Sequence, residues 1–550
     1  MENHTLENHE IAFIIATFLR KRGVNRIFGL CGGHILPIWD YAASLGIQII
    51  DVRDERAAVH MAHAHAELTG TVGVAMVTAG PGMTNAVTGM ANAHVSRVPL
   101  VVISGVPPRP QLGMGALQDL SQAEIAKPIT RYARTVTYAT HVLRELDEAF
   151  ACARGQGNEP GPAFIEFPTD LLREELPPQL VEHERFLERT GFYSNPDPDI
   201  IDHAVEALWS SGRTVVISGR GARGAGESLT RLIDALGCIY LDTAESRGLI
   251  ADDHPANCPA ARGLAMTEAD LVLTVGRSLD FQLGYGSPAV FQNARFVRIG
   301  TCAAELRGNR RGDVEIAGEV SVVLERILAL ASKRVPSTDH DWVAGIQDYD
   351  RPRRKKLSRE LSQAGPGADG AMHPYRLLGG LREVLDPGGF GCLGVGVPFG
   401  IAAALAHPEK QVVVVTGDGA FGLNAMDLDT AKRHNARVVF VVANNAAWSI
   451  ERNDQIETYD SRIVGTELPD CDHAALARAL GLYAERVEDP ADLAGAYQRA
   501  FEHAPALVDV VVTRDASSPD ALSGLPVIPD LQPLGSWDKA EKERVTGSDS

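Results

Sequence analysis

Residues Gln411–Gly422 read Gln-Val-Val-Val-Val-Thr-Gly-Asp-Gly-Ala-Phe-Gly, which sets one carboxylate, Asp418, between two glycines directly behind four valines. A β-branched run bounded by glycine predicts a strand buried on both faces, as in a parallel sheet. Asp418 then stands at the carboxyl end of that strand, the edge at which open α/β sheets bind ligands. After the helix-like stretch AMDLDTAKRHN, a second strand, RVVFVVA, ends in Asn444-Asn445. One strand-helix-strand unit separates Asp418 from Asn445, so the two side chains leave adjacent parallel strands at the same edge. Two hard oxygen donors so placed suit Mg²⁺, which keeps octahedral geometry and commonly bridges a protein to a diphosphate. The flanking glycines let that diphosphate approach the backbone. Gly-Asp-Gly alone is equally well a turn in which the aspartate bonds its own backbone; the pairing with Asn445 turns the reading toward a metal.

Such donors need sheets to hold them. Apolar strands alternate with helix-period stretches, as in RIFGL, GVAMVT, PLVVISG, AFIEFP, TVVISG, LVLTVG, RFVRIG, QVVVVTG and RVVFVVANN. That alternation predicts α/β layers with parallel sheets. The 550 residues are too many for one core. Turn-rich stretches around Ser194 to Asp199 and Ala364 to Gly370 divide them into three domains, 1–185, 195–335 and 365–515, followed by an arm or lid at 516–550 rich in Ser, Pro, Asp and Gly. With 52 basic against 71 acidic side chains the formal charge is −19, which argues against a nucleic-acid partner. Seven scattered cysteines without a CxxC argue against a zinc site or a disulfide framework, and a reducing cytoplasm fits best. The apolar run Ile11 to Leu19 is short and followed by Lys-Arg, unlike a signal peptide or a spanning helix, so no membrane partner is expected.

Gly417-Asp418-Gly419 through Asn444-Asn445 resembles the cofactor motif of thiamine diphosphate-dependent enzymes, the family of acetolactate synthase, benzaldehyde lyase, oxalyl-CoA decarboxylase and 2-hydroxyacyl-CoA lyase. The resemblance extends over nearly the whole chain. It implies three doubly wound parallel-sheet domains: pyrimidine-binding, central Rossmann-like, and diphosphate-binding. It implies thiamine diphosphate held through Mg²⁺ by Asp418, Asn445 and the carbonyl of Ala447, with Gly417, Gly419 and Ala420 against the diphosphate. The family also needs a glutamate bonded to the cofactor's pyrimidine ring, where it promotes the tautomer that acts as base. Glu55, in Asp51-Val-Arg-Asp-Glu-Arg, falls at that place, with Asp54 where the family usually has His. On its own, Glu55 is explained by the dipole of the helix it opens. Gly80-Pro81-Gly82-Met-Thr-Asn85 matches the family's Gly-Pro-Gly-x-x-Asn turn, which favours the functional role. Leu393, in Phe390-Gly-Cys-Leu-Gly-Val-Gly, falls where the family props its cofactor in a bent shape, and Gln118 matches a glutamine that faces the reacting centre.

His34 resembles a histidine that works in the site of benzaldehyde lyase, whereas acetolactate synthases usually carry Ala there. Glu451 lies where pyruvate decarboxylases place a catalytic acid, and Trp448 is expected to line the site. Together, His34, NNAAWSIERNDQ and the Pro-rich tail look most like actinobacterial 2-hydroxyacyl-CoA lyases, which cleave a 2-hydroxyacyl-CoA into formyl-CoA and a carbonyl compound. The runner-up is an acetolactate synthase-like carboligase acting on a 2-oxo acid. Family active sites form at subunit junctions, which implies a homodimer or homotetramer.

Two features pull elsewhere. Ser218-Gly-Arg-Gly-Ala-Arg-Gly224 contains GxGxxG after a strand, with Asp242 about where a dinucleotide fingerprint wants an acid, so a nicotinamide dehydrogenase competes. That reading leaves Glu55 and Asp418/Asn445 unexplained. By resemblance the central domain holds FAD, ADP or a CoA adenine, or nothing, and Arg220 and Arg223 are candidate phosphate contacts. The second feature is a gap: the expected helix Tyr375 to Leu385 runs through Asp386-Pro-Gly-Gly into Phe390, which leaves no room for the family's additional strand and helix. The diphosphate-binding domain is therefore expected to lack one strand-helix unit, and an inactive or impaired protein is a third reading.

Overall fold

Short β-branched runs followed by glycine build three sheets, every one of them parallel. The computed structural model describes residues 8–156, 159–187, 196–367, 369–378 and 390–514. The first sheet contains β1 (Arg26–Gly29), β2 (Gln48–Asp51), β3 (Gly73–Val77), β4 (Leu100–Val106), β5 (Tyr132–Thr135) and β6 (Pro162–Pro168), in the order β2-β1-β3-β4-β6-β5. β3, β4 and β6 are buried at every position, because helices cover both faces of the sheet. The second sheet runs β11-β10-β9-β7-β8, from β7 (Thr214–Ser218), β8 (Ile239–Leu241), β9 (Leu271–Val275), β10 (Arg295–Gly300) and β11 (Val314–Ala317). The third runs β12-β13-β15-β14, from β12 (Val412–Gly417), β13 (Val438–Asn444), β14 (Tyr483–Val487) and β15 (Ala506–Val511).

Within the described residues, one compact unit comprises 8–187, 390–446 and 469–512, and so holds the first and third sheets. The second unit, 196–378 with 447–468 and 513–514, holds the central sheet. Four helices of the first unit flank the strand ends where the candidate site lies: α1 (Ile11–Lys21), α2 (Leu36–Ser44), α3 (Glu55–Thr69) and α4 (Pro81–Val95). α3 is rich in alanine and buried along most of its length. Its small residues admit close neighbours: on α4, a Cβ at Gly89 would stand 2.6 Å from the Val59 Cβ. On another side α3 packs against the apolar helix Gly396–Ala406, where the Phe399 ring lies 5.1 Å from His63 and 6.1 Å from His60. The loop before α3 is tied to the third sheet's layer, since Arg53 N–H donates to Asp427 at 2.9 Å and its guanidinium to Asp429 at 2.7 Å. Asp51 meets His434 at 2.8 Å. Among the described residues, no helix is long and apolar enough to cross a membrane.

β12 departs from expectation. Its four valines predict a strand covered on both faces, yet among the described residues β12 has β13 as its neighbour on one side and none on the other, and Val415 is 39% exposed. An apolar run reports the wish for cover and does not count neighbours. The third sheet thus has four strands among the described residues. The break between Leu385 and Phe390, most of the expected helix Tyr375 to Leu385 and the tail 516–550 lie outside the described residues; the part of that helix that is described is Pro374–Leu378.

Candidate active site

The carboxyl ends of β1, β2, β3 and β4 converge on one group of side chains, as parallel α/β sheets favour. Asp54 caps α3, its carboxylate accepting from Arg56 N–H at 2.8 Å and pairing with the Arg56 guanidinium. An aspartate is a better N-cap than histidine, so the departure from the family's usual residue secures the helix start and leaves Glu55 in place. Glu55, 6% exposed, accepts from Asn85 Nδ2 at 3.0 Å. Pro81 opens α4 and Gly80 precedes it at φ 60°, a conformation natural to glycine. A Cβ on Gly82 would stand 3.2 Å from Glu55 Oε1 and 2.9 Å from Thr78 Cγ2, and one on Gly80 would meet the Gln118 Cβ at 2.9 Å. Glycine at both positions leaves the turn open against the carboxylate.

His34 joins this group from the β1 side. Its Nδ1 is 3.5 Å from Thr78 Oγ1, and its side chain hydrogen-bonds Gln118. Burial holds His34 below the ordinary histidine range, with the Gln118 bond opposing, so the ring is a neutral donor and acceptor near neutrality. Gln118 itself has φ 63°, unusual for a residue with a Cβ. The structure therefore brings His34, Glu55, Gly80, Pro81, Gly82, Asn85 and Gln118 together. Thr78 and Gln122, which touch this group, carry no signal in the sequence that marks them for it; Gln122 accepts from Gly80 N–H at 2.6 Å. Nothing in the linear stretch ALQDLSQ distinguishes its second glutamine as buried.

In the third sheet, the β12–β13 ladder ends at Gly417 opposite Ala443, so Asp418 and Asn445 leave neighbouring strands at the same end. Asp418 is 5% exposed and begins the short helix Asp418–Gly422. The two asparagines differ. Asn444 donates to the Cys471 carbonyl at 2.8 Å and to Asp509 at 3.0 Å, which binds β13 to β15. Asn445 is half-buried one residue further on, and Ala446 takes φ 52°, turning the chain sharply before Ala447. Leu393 is 52% exposed, so it is not core. Its loop is pinned by Asn424 Nδ2 on the Gly394 carbonyl at 2.8 Å and by Cys392 Sγ, 3.8 Å from His60 Nε2. In the second unit, the half-buried Trp448 donates its backbone N–H to the Thr466 carbonyl at 2.8 Å. Glu451 is exposed in the first turn of helix Ser449–Thr458, and the adjacent Arg452 lies 3.4 Å from Glu467.

The central sheet gives the glycine motif another use. A Cβ on Gly221 would meet the Gly276 Cα at 2.8 Å, so the glycines serve close backbone packing. Arg220 pairs with Glu245 at 3.2 Å and Arg223 donates to the Glu245 carbonyl at 2.8 Å. The Asp242 carboxylate faces Arg247 at 3.5 Å and Arg262 at 3.7 Å. The acid a dinucleotide would need is already engaged by two guanidinium groups.

The sequence matches three family descriptions in order: thiamine pyrophosphate enzyme, N-terminal TPP binding domain, over residues 9–125; the central domain over 201–327; and the C-terminal TPP binding domain over 368–510. It is 31% identical over 543 residues to a protein named probable acetolactate synthase from Mycobacterium bovis, covering 92% of this chain and 96% of that one. The chain belongs to the thiamine pyrophosphate enzyme family. It is also similar to a Caenorhabditis elegans protein named 2-hydroxyacyl-CoA lyase 2, at 30% identity over 546 residues, 86% of this chain and 84% of the relative. A Homo sapiens protein of the same name is 29% identical over 572 residues, 91% and 89% of the two chains. As a thiamine pyrophosphate enzyme, the chain has its N-terminal cofactor-binding domain and most of its C-terminal one in the compact unit that holds Glu55 and Asp418. Its residues fit that cofactor: a buried carboxylate beside a turn that any Cβ would obstruct, and a buried aspartate at a sheet edge beside an asparagine.

Proposed function

We propose that the protein is a thiamine diphosphate- and Mg²⁺-dependent enzyme that breaks or makes a carbon–carbon bond next to a carbonyl, acting as a 2-hydroxyacyl-CoA lyase. The observation that carries this reading is the buried Glu55, bonded to Asn85 and facing Gly82, with His34 and Gln118 at the same sheet edge. When bound, thiamine diphosphate supplies a carbon acid whose conjugate base adds to a carbonyl. The chain's part is to hold and to move protons. Asp418, Asn445 and the Ala447 carbonyl would hold Mg²⁺, and Gly417, Gly419 and Ala420 would leave the diphosphate room. Glu55 would hold a hydrogen bond at the pyrimidine ring, and Leu393 would support the cofactor from its loop. His34, kept neutral by burial, takes the proton of the substrate hydroxyl, Gln118 orients the carbonyl, Glu451 returns a proton and Trp448 bounds the substrate. The names of the relatives support two substrate classes, and His34 favours the lyase. Formyl-CoA released from 2-hydroxyisobutyryl-CoA is the expected product by chromatography. Acetolactate from pyruvate, with no formyl-CoA, would establish the carboligase instead.

A second reading, an impaired enzyme, draws on the side of β12 that has no neighbour among the described residues. A strand unpaired on one side carries backbone groups that cost about 1–3 kcal/mol each wherever they are buried without a partner, and the family's additional strand would pair them. Inserting the family's strand and helix after Leu385 is expected to raise the melting temperature and tighten cofactor binding. Equal stability and equal turnover in the natural and lengthened chains would dismiss the impaired reading.

A further inference from the structure

Gln122 is fully buried, and its amide is used in three directions. Oε1 accepts from Gly80 N–H at 2.6 Å, while Nε2 donates to the Gly105 carbonyl at 3.0 Å and to Glu166 Oε2 at 2.6 Å. Two of these partners lead into the site. Gly80 opens the turn that faces Glu55, and Gly105 lies against the His34 backbone, where a Cβ would stand 2.4 Å from the His34 carbonyl oxygen. One amide thus spans the cofactor turn and the histidine loop. It does so in one orientation only, because a flipped amide would oppose donor to donor at Gly80 and acceptor to acceptor at Gly105.

Glu166, on β6, selects that orientation by being an acceptor where Nε2 arrives. Its other oxygen accepts from Thr135 Oγ1 at 2.5 Å, and Ala123 N–H is a further donor. None of these groups is a cation. β4 beside it carries no titratable residue; on β5, Tyr132 and Arg134 turn to Glu145, and on the short helix Gln122–Ala126, Glu124 pairs with Lys127 at the surface. Glu166 is 3% exposed, and burial lifts its carboxyl to about 7 against the pull of its hydrogen bonds. A buried carboxyl without an ion partner is a poor way to fill a core, since an apolar side chain of that size avoids the desolvation. Its hydrogen bond to Gln122 is what an apolar residue cannot supply.

We propose that Glu166 is a positioning residue: acting through Gln122, it sets the Gly80–Pro81–Gly82 turn and the His34 loop at the spacing that bound cofactor and substrate require. The assignment rests on the thiamine diphosphate-dependent reading of the site. In Glu166→Gln the amide oxygen still accepts from Gln122 while its NH₂ faces the Thr135 hydroxyl. The test compares wild type, Glu166→Gln, Glu166→Leu, Gln122→Leu and the double leucine variant, by calorimetric titration of the apoprotein with thiamine diphosphate and Mg²⁺ and by kcat on whichever substrate the wild type turns over. Glu166→Gln is expected to stay within about threefold of wild type, and each leucine variant to lose about tenfold or more in Kd or kcat, the range typical of outer-shell partners. The double variant is expected to be no worse than Gln122→Leu, because one residue acts through the other, whereas two separate structural defects would multiply. Wild-type Kd and kcat in Glu166→Leu, or multiplied losses in the double variant, overturn the assignment. If Glu166→Leu does not fold, wild-type values in Gln122→Leu overturn it alone. A wild-type protein that takes up no thiamine diphosphate defeats both this assignment and the reading beneath it, and the wild-type titration separates the two failures.

Discussion

Glu55→Gln is expected to keep thiamine diphosphate bound while turnover falls by about 10²–10⁴-fold, the usual worth of a positioned proton-transfer partner. The side chain is buried at the start of α3, accepts one hydrogen bond from Asn85 and faces the turn at Gly82. An amide of the same shape preserves those contacts, and Asp54 still caps the helix, so the fold should not notice the change. What the amide cannot do is share a proton with the pyrimidine ring. Hydrogen–deuterium exchange at the reactive carbon of the bound cofactor, followed by NMR beside a calorimetric Kd, reads the two properties separately. Exchange at the wild-type rate would remove Glu55 from the chemistry, and a lost Kd would make it a binding residue.

Asp418→Ala should act on the other half of the cofactor. On a chain with a formal charge of −19, a diphosphate is repelled unless a cation intervenes. Loss of even an outer-shell partner costs a metal site about 10–100-fold in affinity, so removal of a direct ligand is expected to cost at least about 100-fold. Titration of thiamine diphosphate with Mg²⁺ and then with a chelator should show strong metal dependence in wild type and little in Asp418→Ala. Asn445→Ala should share the defect. Asn444→Ala should instead lower the melting temperature, because Asn444 bonds Cys471 and Asp509 across to β15. Binding that ignores the metal, or an Asn444 variant with the larger metal defect, would refute the ligand assignment.

Much of the architecture is legible in the sequence because strands buried on both faces are written in valine, isoleucine and leucine. β3, β4, β7, β9 and β13 are such runs, each buried at almost every position. β15 escapes that signal for a physical reason: its run is interrupted by Asp509, fully buried but held by Asn444 and by Arg486 at 3.4 Å. β5 and β14 mix charged and apolar residues, as half-covered strands do. In the site, the spacing of Asp418 and Asn445 can be read because one strand-helix-strand unit fixes their common edge. The Gln118–His34 and Gln122–Gly80 contacts cannot, since they depend on a residue with a Cβ at positive φ and on loops from three strands meeting in space.

The open side of β12 bears on how the protein behaves when concentrated. Val412 to Val415 form an uncharged β-branched run without proline, and among the described residues one side of this strand has no neighbour. A strand of that composition with a free edge is a template on which a second chain can add its own strand. Lys410 and Asp418 are the charges that flank it, and a metal bound at Asp418 would neutralise one of these two guards. Self-association on warming should therefore start at this edge, rise with protein concentration and fall when Val415, already 39% exposed, is replaced by lysine. Light scattering during a slow temperature ramp would follow it, and an unchanged onset in Val415→Lys would place the origin of clumping in another part of the chain.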